Sequence, residues 1–165
     1  MATVSALNRT DDRQHPPVQL WYTNTMTTGI LSRWVRPDSI VVVTTGAGSA
    51  VLALEIDEGT TYQRTVRAKL AAYRRPLSTR PAWQLVVVVP GQIRSDWMVR
   101  QAAAMSLGPS AWVVTLGDLA DGSLDAELRS VARGHTPRSL RSLLQPPRRL
   151  LSTPVGSHAW LELRR

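Results

Sequence analysis

Four short runs of apolar, largely β-branched residues constrain this 165-residue chain most: SIVVVTT (39–45), AVLALEID (50–57), WQLVVVV (83–89) and AWVVTL (111–116). Apolar residues fill both alternating sets of positions, so as strands these runs must be covered on two faces. The first two flank the Gly-rich GAGS (46–49) and read as a hairpin. Thr60 is placed to cap a helix running to Arg75, with Pro76 as its stop. Ser95 is placed to cap a second, DWMVRQAAAMSL, closed by Gly108-Pro109. A short helix is expected over Leu124–Arg133, ending at Gly134, then an amphipathic turn or two after Thr136-Pro137. An edge strand or hairpin is expected around Ile30–Val35. The order hairpin, helix, strand, helix, strand predicts an α/β fold, a mixed β-sheet with helices on both faces.

At 18.2 kDa the chain can bury one ordinary core. The expected division is a flexible lead-in over 1–19, the α/β domain over 20–134 and an Arg-rich tail over 135–165. The sequence has no cysteine, which excludes disulfides, thiolate zinc sites and cysteine nucleophiles. His15, His135 and His158 have no paired spacing, and GAGS lacks the GK[ST] ending of a phosphate-binding loop. No leader pattern or membrane-length apolar run is present, so a cytoplasmic location with no membrane partner is expected. Trp83, Trp97 and Trp112 are expected in the core, as are Tyr62 and Tyr73, whereas Trp34 and Trp160 stand beside arginines.

The formal net charge of +8 points to a polyanionic partner such as nucleic acid. From Leu128 to Arg165 there are eight arginines against one acid, Glu162, so most of the excess lies there. Arg36, Arg138, Arg141, Arg148 and Arg149 are the candidate phosphate contacts; the plainer alternative is a solvated tail.

If the hairpin turn centres on Ala47-Gly48, Gly46 pairs with Ser49 and Asp38 falls opposite Asp57. Glu55, two residues before Asp57, then points the same way, gathering three carboxylates at the open end of the hairpin. Their mutual repulsion calls for a cation or for arginines, and a hard, oxygen-seeking ion such as Mg²⁺ or Mn²⁺ is the simplest partner. Taken singly, Asp38 can be a turn residue after Pro37, and Asp57 can favour the start of the following helix.

Lys69 is the only lysine among nineteen arginines. On a helical wheel it borders the stripe Tyr62, Val66, Leu70 and Tyr73, facing the sheet, while Arg64, Arg67, Arg74 and Arg75 face away. A compact ammonium there suits a phosphoryl oxygen or a water. A lysine snorkelling over apolar surface is the alternative.

Arg36-Pro37-Asp38, LALEIDEGT (52–60), VRAKLAAY (66–73) and VVVVP (86–90) together resemble the replication-relaxation family, itself similar to the PD-(D/E)xK nuclease superfamily. The resemblance covers roughly residues 33–120. It implies a restriction-endonuclease-like core and Mg²⁺-dependent phosphodiester hydrolysis, with Asp38 and Glu55 as metal ligands. Asp57 stands where the superfamily carries its lysine, and would serve as third ligand or water orienter, while Lys69 supplies the ammonium from the helix. It also implies a DNA-reading helix-turn-helix or winged-helix part for which this chain has no room. Either the chain is a shortened relative or the DNA reader is a partner, a winged-helix or replication protein; a homodimer is a separate expectation. The alternative is a catalytically inactive, nuclease-fold DNA-binding or recruitment module in plasmid, phage or chromosome replication.

Overall fold

The computed structural model describes residues 18–23, 35–45, 48–80, 82–120, 124–132 and 134–144. They form seven strands: β1 (Val18–Thr23), β2 (Ser39–Thr45), β3 (Gly48–Ile56), β4 (Trp83–Val89), β5 (Ala111–Thr115), β6 (Glu127–Ser130) and β7 (Arg138–Ser139). The helices are α1 (Gln63–Thr79), α2 (Gln92–Ala104), α3 (Leu116–Ala120) and α4 (Leu140–Leu143). Each strand lies beside the next in sequence. β1, β2 and β3 form an antiparallel meander, β3, β4 and β5 run parallel, and β6 and β7 return antiparallel. The two parallel steps need crossovers, and α1 and α2 supply them. This is the expected mixed sheet.

Alternation along the strands divides the core into two layers. Ile40, Val42, Val51, Ala53, Leu85, Val87 and Val113 face α1 and α2, where Val66, Leu70, Tyr73, Leu77, Met98 and Ala102 meet them. Val41, Val43, Leu52, Leu54, Val86, Val88, Trp112 and Val114 face the other way, onto Leu119, Leu128, Leu140 and Leu143. With both faces covered, the near-continuous apolar runs are accounted for. Leu140, Leu143 and Leu144, within the segment 135–165, belong to this second layer. Among the described residues no helix is long and apolar enough to cross a membrane.

Several local expectations are corrected. Thr45 pairs with Gly48 and Ser39 with Leu54, so the hairpin register differs from the one that set Gly46 against Ser49. Every partner moves by two residues, which preserves the faces, because side chains alternate with period two. Carried one step past Ser39 and Leu54, this ladder sets Asp38 opposite Glu55, not Asp57. α1 begins after Tyr62, not at Thr60, and passes through Pro76 to Thr79. Pro76 is buried, and the hydroxyls of Ser78 and Thr79 donate to the carbonyls of Arg75 and Pro76 near the helix end. Tyr62 precedes the helix and is 85% exposed, so it leaves the stripe that Tyr73 completes. α2 starts after Gly91, which puts Ser95 inside it as a buried residue that accepts from Arg129. The helix expected over Leu124–Arg133 is replaced by β6, whose Leu128 packs into the second layer. β1 begins inside the expected lead-in. Residues 30–34 of the expected edge strand lie outside the described residues, while Val35 is buried.

Candidate functional site

The two parallel crossovers leave the C-terminal ends of β3 and β4 side by side, with Ile56 paired to Val88. This end of a parallel sheet is where loops and helix starts converge, so polar groups can be held there without breaking the ladder. Asp38 reaches it from the start of β2: its Oδ2 accepts the amide N–H of Ile56 at 2.8 Å, tying the two strands beyond their last ladder pair. Glu55 lies on β3 in the same alternating set as Val51 and Ala53, so it faces α1, and it is only 5% exposed.

α1 meets it with two side chains one turn apart. The ammonium of Lys69 contacts Glu55 Oε2 and lies 3.7 Å from Asp38 Oδ1. The phenol of Tyr73, fully buried, donates to Glu55 Oε1. Both oxygens of a buried carboxylate are thus engaged, as the low dielectric around it demands. Burial pushes the Glu55 carboxyl up to about 7 from its ordinary 4.5, against the opposing pull of the Lys69 charge and of the hydrogen bonds from Lys69 and Tyr73. Burial, reinforced by the neighbouring Glu55, also pushes the Tyr73 phenol well above its usual range, so it stays protonated and serves as a donor. Lys69 remains 44% exposed, open to solvent on one side.

Asp57, two residues on, makes a separate arrangement. Its backbone N–H donates to Val88 O at 2.9 Å, and its Oδ1 accepts from the N–H of Gly59 at 3.2 Å. The guanidinium of Arg94, in the first turn of α2, grips it through Nε to Oδ2 at 2.6 Å and Nη2 to Oδ1 at 3.1 Å. The same Nη2 lies 3.4 Å from Thr61 O, and the guanidinium stacks 4.3 Å from the Trp97 ring centre. Among the described residues no three Asp, Glu or His side chains gather at one point. The expected trio is therefore resolved into Asp38 and Glu55 on one cation, Lys69, and Asp57 on another, Arg94. Arg94 was not legible from spacing; the signal lay in the parallel pairing of β3 with β4, which brings the start of α2 to the end of β3.

The candidate DNA contacts lie apart. Arg36 is exposed. Arg138 is exposed on β7, with its guanidinium 5.7 Å from the Trp112 ring centre. Arg141 in α4 donates to both oxygens of Asp125, at 2.9 and 3.4 Å, which neutralises its charge locally. Arg148 and Arg149 lie outside the described residues, as do Trp34 and Trp160. Trp83 and Trp112 are buried and Trp97 is partly so.

An α/β sheet with a carboxylate pair and one ammonium at the ends of its strands defines a class of fold and site. The chain belongs to the replication-relaxation family, whose sequence pattern matches residues 3–89. The match takes in β1 to β4 and α1, and so Asp38, Glu55, Asp57, Lys69 and Tyr73; Arg94 lies beyond it. No curated protein and no solved structure matches the chain. Family membership points to a role in DNA replication or maintenance.

Proposed function

We propose that this chain acts on DNA through a Mg²⁺- or Mn²⁺-dependent phosphodiester-hydrolysing site built on Asp38 and Glu55, in a core of the PD-(D/E)xK type. The observation that carries the reading is the convergence of two carboxylates, from adjacent strands, on the single ammonium of Lys69. The meander β1–β2–β3 followed by α1 and the parallel β4 is consistent with such a core.

The donor set fits a hard cation: Mg²⁺ characteristically takes one or two carboxylates and fills its remaining positions with water and substrate phosphate. A bound ion would supply Lewis-acid polarisation of a phosphoryl oxygen and a more acidic water. Asp38 and Glu55 would hold it, and Tyr73 orients Glu55 through Oε1. The half-exposed Lys69 can meet charge developing at the phosphorus. Asp57, saturated by Arg94 and Gly59, takes the role of fixing the loop between β3 and α1 in place of the third-ligand role first expected.

A second reading, a catalytically silent DNA-binding or recruitment module, is favoured by a specific feature. Both Glu55 oxygens are already satisfied within the protein, by Lys69 and Tyr73. One set of measurements separates the two. Purified protein with Mg²⁺ or Mn²⁺ is incubated with supercoiled, linear and single-stranded DNA, and ion binding is followed by calorimetry. Cleavage abolished by Asp38→Ala and Lys69→Ala supports the hydrolytic reading. Intact DNA together with no ion binding that Asp38→Ala weakens removes it, and DNA binding indifferent to Asp38→Ala then favours the silent module.

A further inference from the structure

The arginines of this chain are not alike in their surroundings. Arg94, Arg129 and Arg141 each carry an aspartate partner, Asp57, Asp96 and Asp125. The hydrogen bond from Arg129 holds Asp96 below its usual range. α1 is different: its seventeen residues hold four arginines and Lys69 and no acid. Arg64, Arg67, Arg74 and Arg75 are all exposed. Among the described residues no carboxylate pairs with any of the four; Arg67 alone has a side-chain partner, the neutral Gln101, at 2.7 Å.

At about 100° per residue the four fall within an arc of about 100° on the solvent side of α1. Ala68, Ala71 and Ser78, exposed on the same side, leave no bulky side chain between them. The ridge from Arg64 to Arg75 is about 16 Å long at ~1.5 Å per residue, a length that spans about five base-pair steps of duplex at ~3.4 Å each. Lys69 lies on the opposite flank, about 120° from the nearest of the four. Thus α1 turns its lysine to the carboxylates of the sheet and its arginines to solvent.

We infer that this arginine ridge of α1 is a surface that grips the phosphate backbone of duplex DNA, separate from the site at Asp38 and Glu55. Charge complementarity selects the occupant: unpaired guanidiniums in a row match a polyanion and bind it by releasing its counterions. The exposed face of α1 has no large apolar residue to enter a lipid interface, and its only aromatic, Tyr73, is buried, so it offers no platform for unstacked bases. The inference shares a DNA partner with the proposed function but not its chemistry.

The test is a salt series of fluorescence anisotropy on the full chain with a 20-base-pair duplex, without added metal. Three proteins are compared: the unaltered chain, R64Q/R74Q/R75Q, and R9Q/R13Q/R100Q as a control of equal charge loss at arginines outside both the ridge and the candidate tail contacts. Glutamine keeps good helix propensity, and urea midpoints matching the unaltered chain verify the fold. Each phosphate contact contributes about 0.9 to the slope of log affinity on log salt, so the helix variant should lose about 2.7 of slope. Between 50 and 200 mM salt, the unaltered chain's affinity should then fall about fortyfold more than the variant's. The single variants should each lose about 0.9, and the control should keep a larger slope than the helix variant. An unchanged slope in the helix variant, an equal loss in both triple variants, or no duplex binding by the unaltered chain overturns the inference. So does capture by phosphatidylserine vesicles through these arginines without duplex binding. Loss of DNA cleavage with the ridge-dependent slope intact would remove the hydrolytic reading and leave this one standing.

Discussion

Replacing Glu55 by Gln should change how stability depends on pH, not merely how stable the protein is. In the folded chain this carboxyl holds its proton up to about pH 7, whereas its ordinary value is 4.5. Between those values the folded state carries a proton that the unfolded state has released. Unfolding therefore releases a proton, and raising the pH favours it. Stability contributed by the protonated form is fully present below pH 4.5 and is lost as pH climbs through 7. At about 1.4 kcal/mol for each unit separating the two values, the loss is on the order of 3 kcal/mol. Glutamine cannot titrate. The difference in unfolding free energy between the wild type and Glu55→Gln should therefore drift by that amount from pH 5 to pH 8, with the wild type losing ground. Urea unfolding with chelator present, read by fluorescence of the six tryptophans, measures it. Surface carboxylates such as Asp96 are common to both proteins and cancel in the difference. A difference that stays flat across this range would refute the reasoning, since it would mean that Lys69 fully offsets the burial of Glu55.

Tyr73→Phe removes the hydrogen bond that lowers the Glu55 carboxyl, so the same drift should move to higher pH, as urea midpoints taken in half-unit steps would record. Asp57→Ala strands the Arg94 guanidinium, whose side chain is 18% exposed, and should cost about 3 kcal/mol in urea unfolding; Asp57→Ala combined with Arg94→Met should recover most of it. Gly59 sits at φ +82°, and a β-carbon there would come within 3.3 Å of Pro90 Cγ, so Gly59→Ala should lower stability by about 1–2 kcal/mol in thermal or urea unfolding.

Strands buried on both faces were the most legible part of the sequence. Trp83–Val89 lies where its nearly continuous apolar run puts it, and Ala111–Thr115 is one residue shorter than read, because Leu116 opens α3. Turn chemistry was less legible. GAGS offers more than one way to reverse, and the hairpin uses another than the one expected, yet the move by two residues left Asp38 and Glu55 on one face. The segment around β6 misled because Leu, Glu, Ala and Arg favour helices. Its Leu124, Ala126 and Leu128 alternate, and all three are buried, so packing overrode propensity. At the site, Lys69 was found because it is the only lysine, whereas Tyr73 was read from the buried stripe as core packing alone and its hydrogen bond to Glu55 was not foreseen. Arg94 was hidden among nineteen arginines, and only the alignment of β3 with β4 singles it out.

The strand order also bears on how such a sheet can be assembled and altered. Because every strand pairs with its predecessor, no later strand must be inserted between earlier ones. Pairing can proceed from β1 as a growing edge, with modest loop closure at each step. The segment matched by the family ends at Val89, the last residue of β4, which is also an open edge at that stage of growth. Everything after it, β5 to β7 with α2, α3 and α4, adds to that edge without re-pairing what came before. Changes in this half of the sheet can therefore leave Asp38, Glu55 and Lys69 in register, while Arg94, from the first turn of α2, ties that half to the loop after β3.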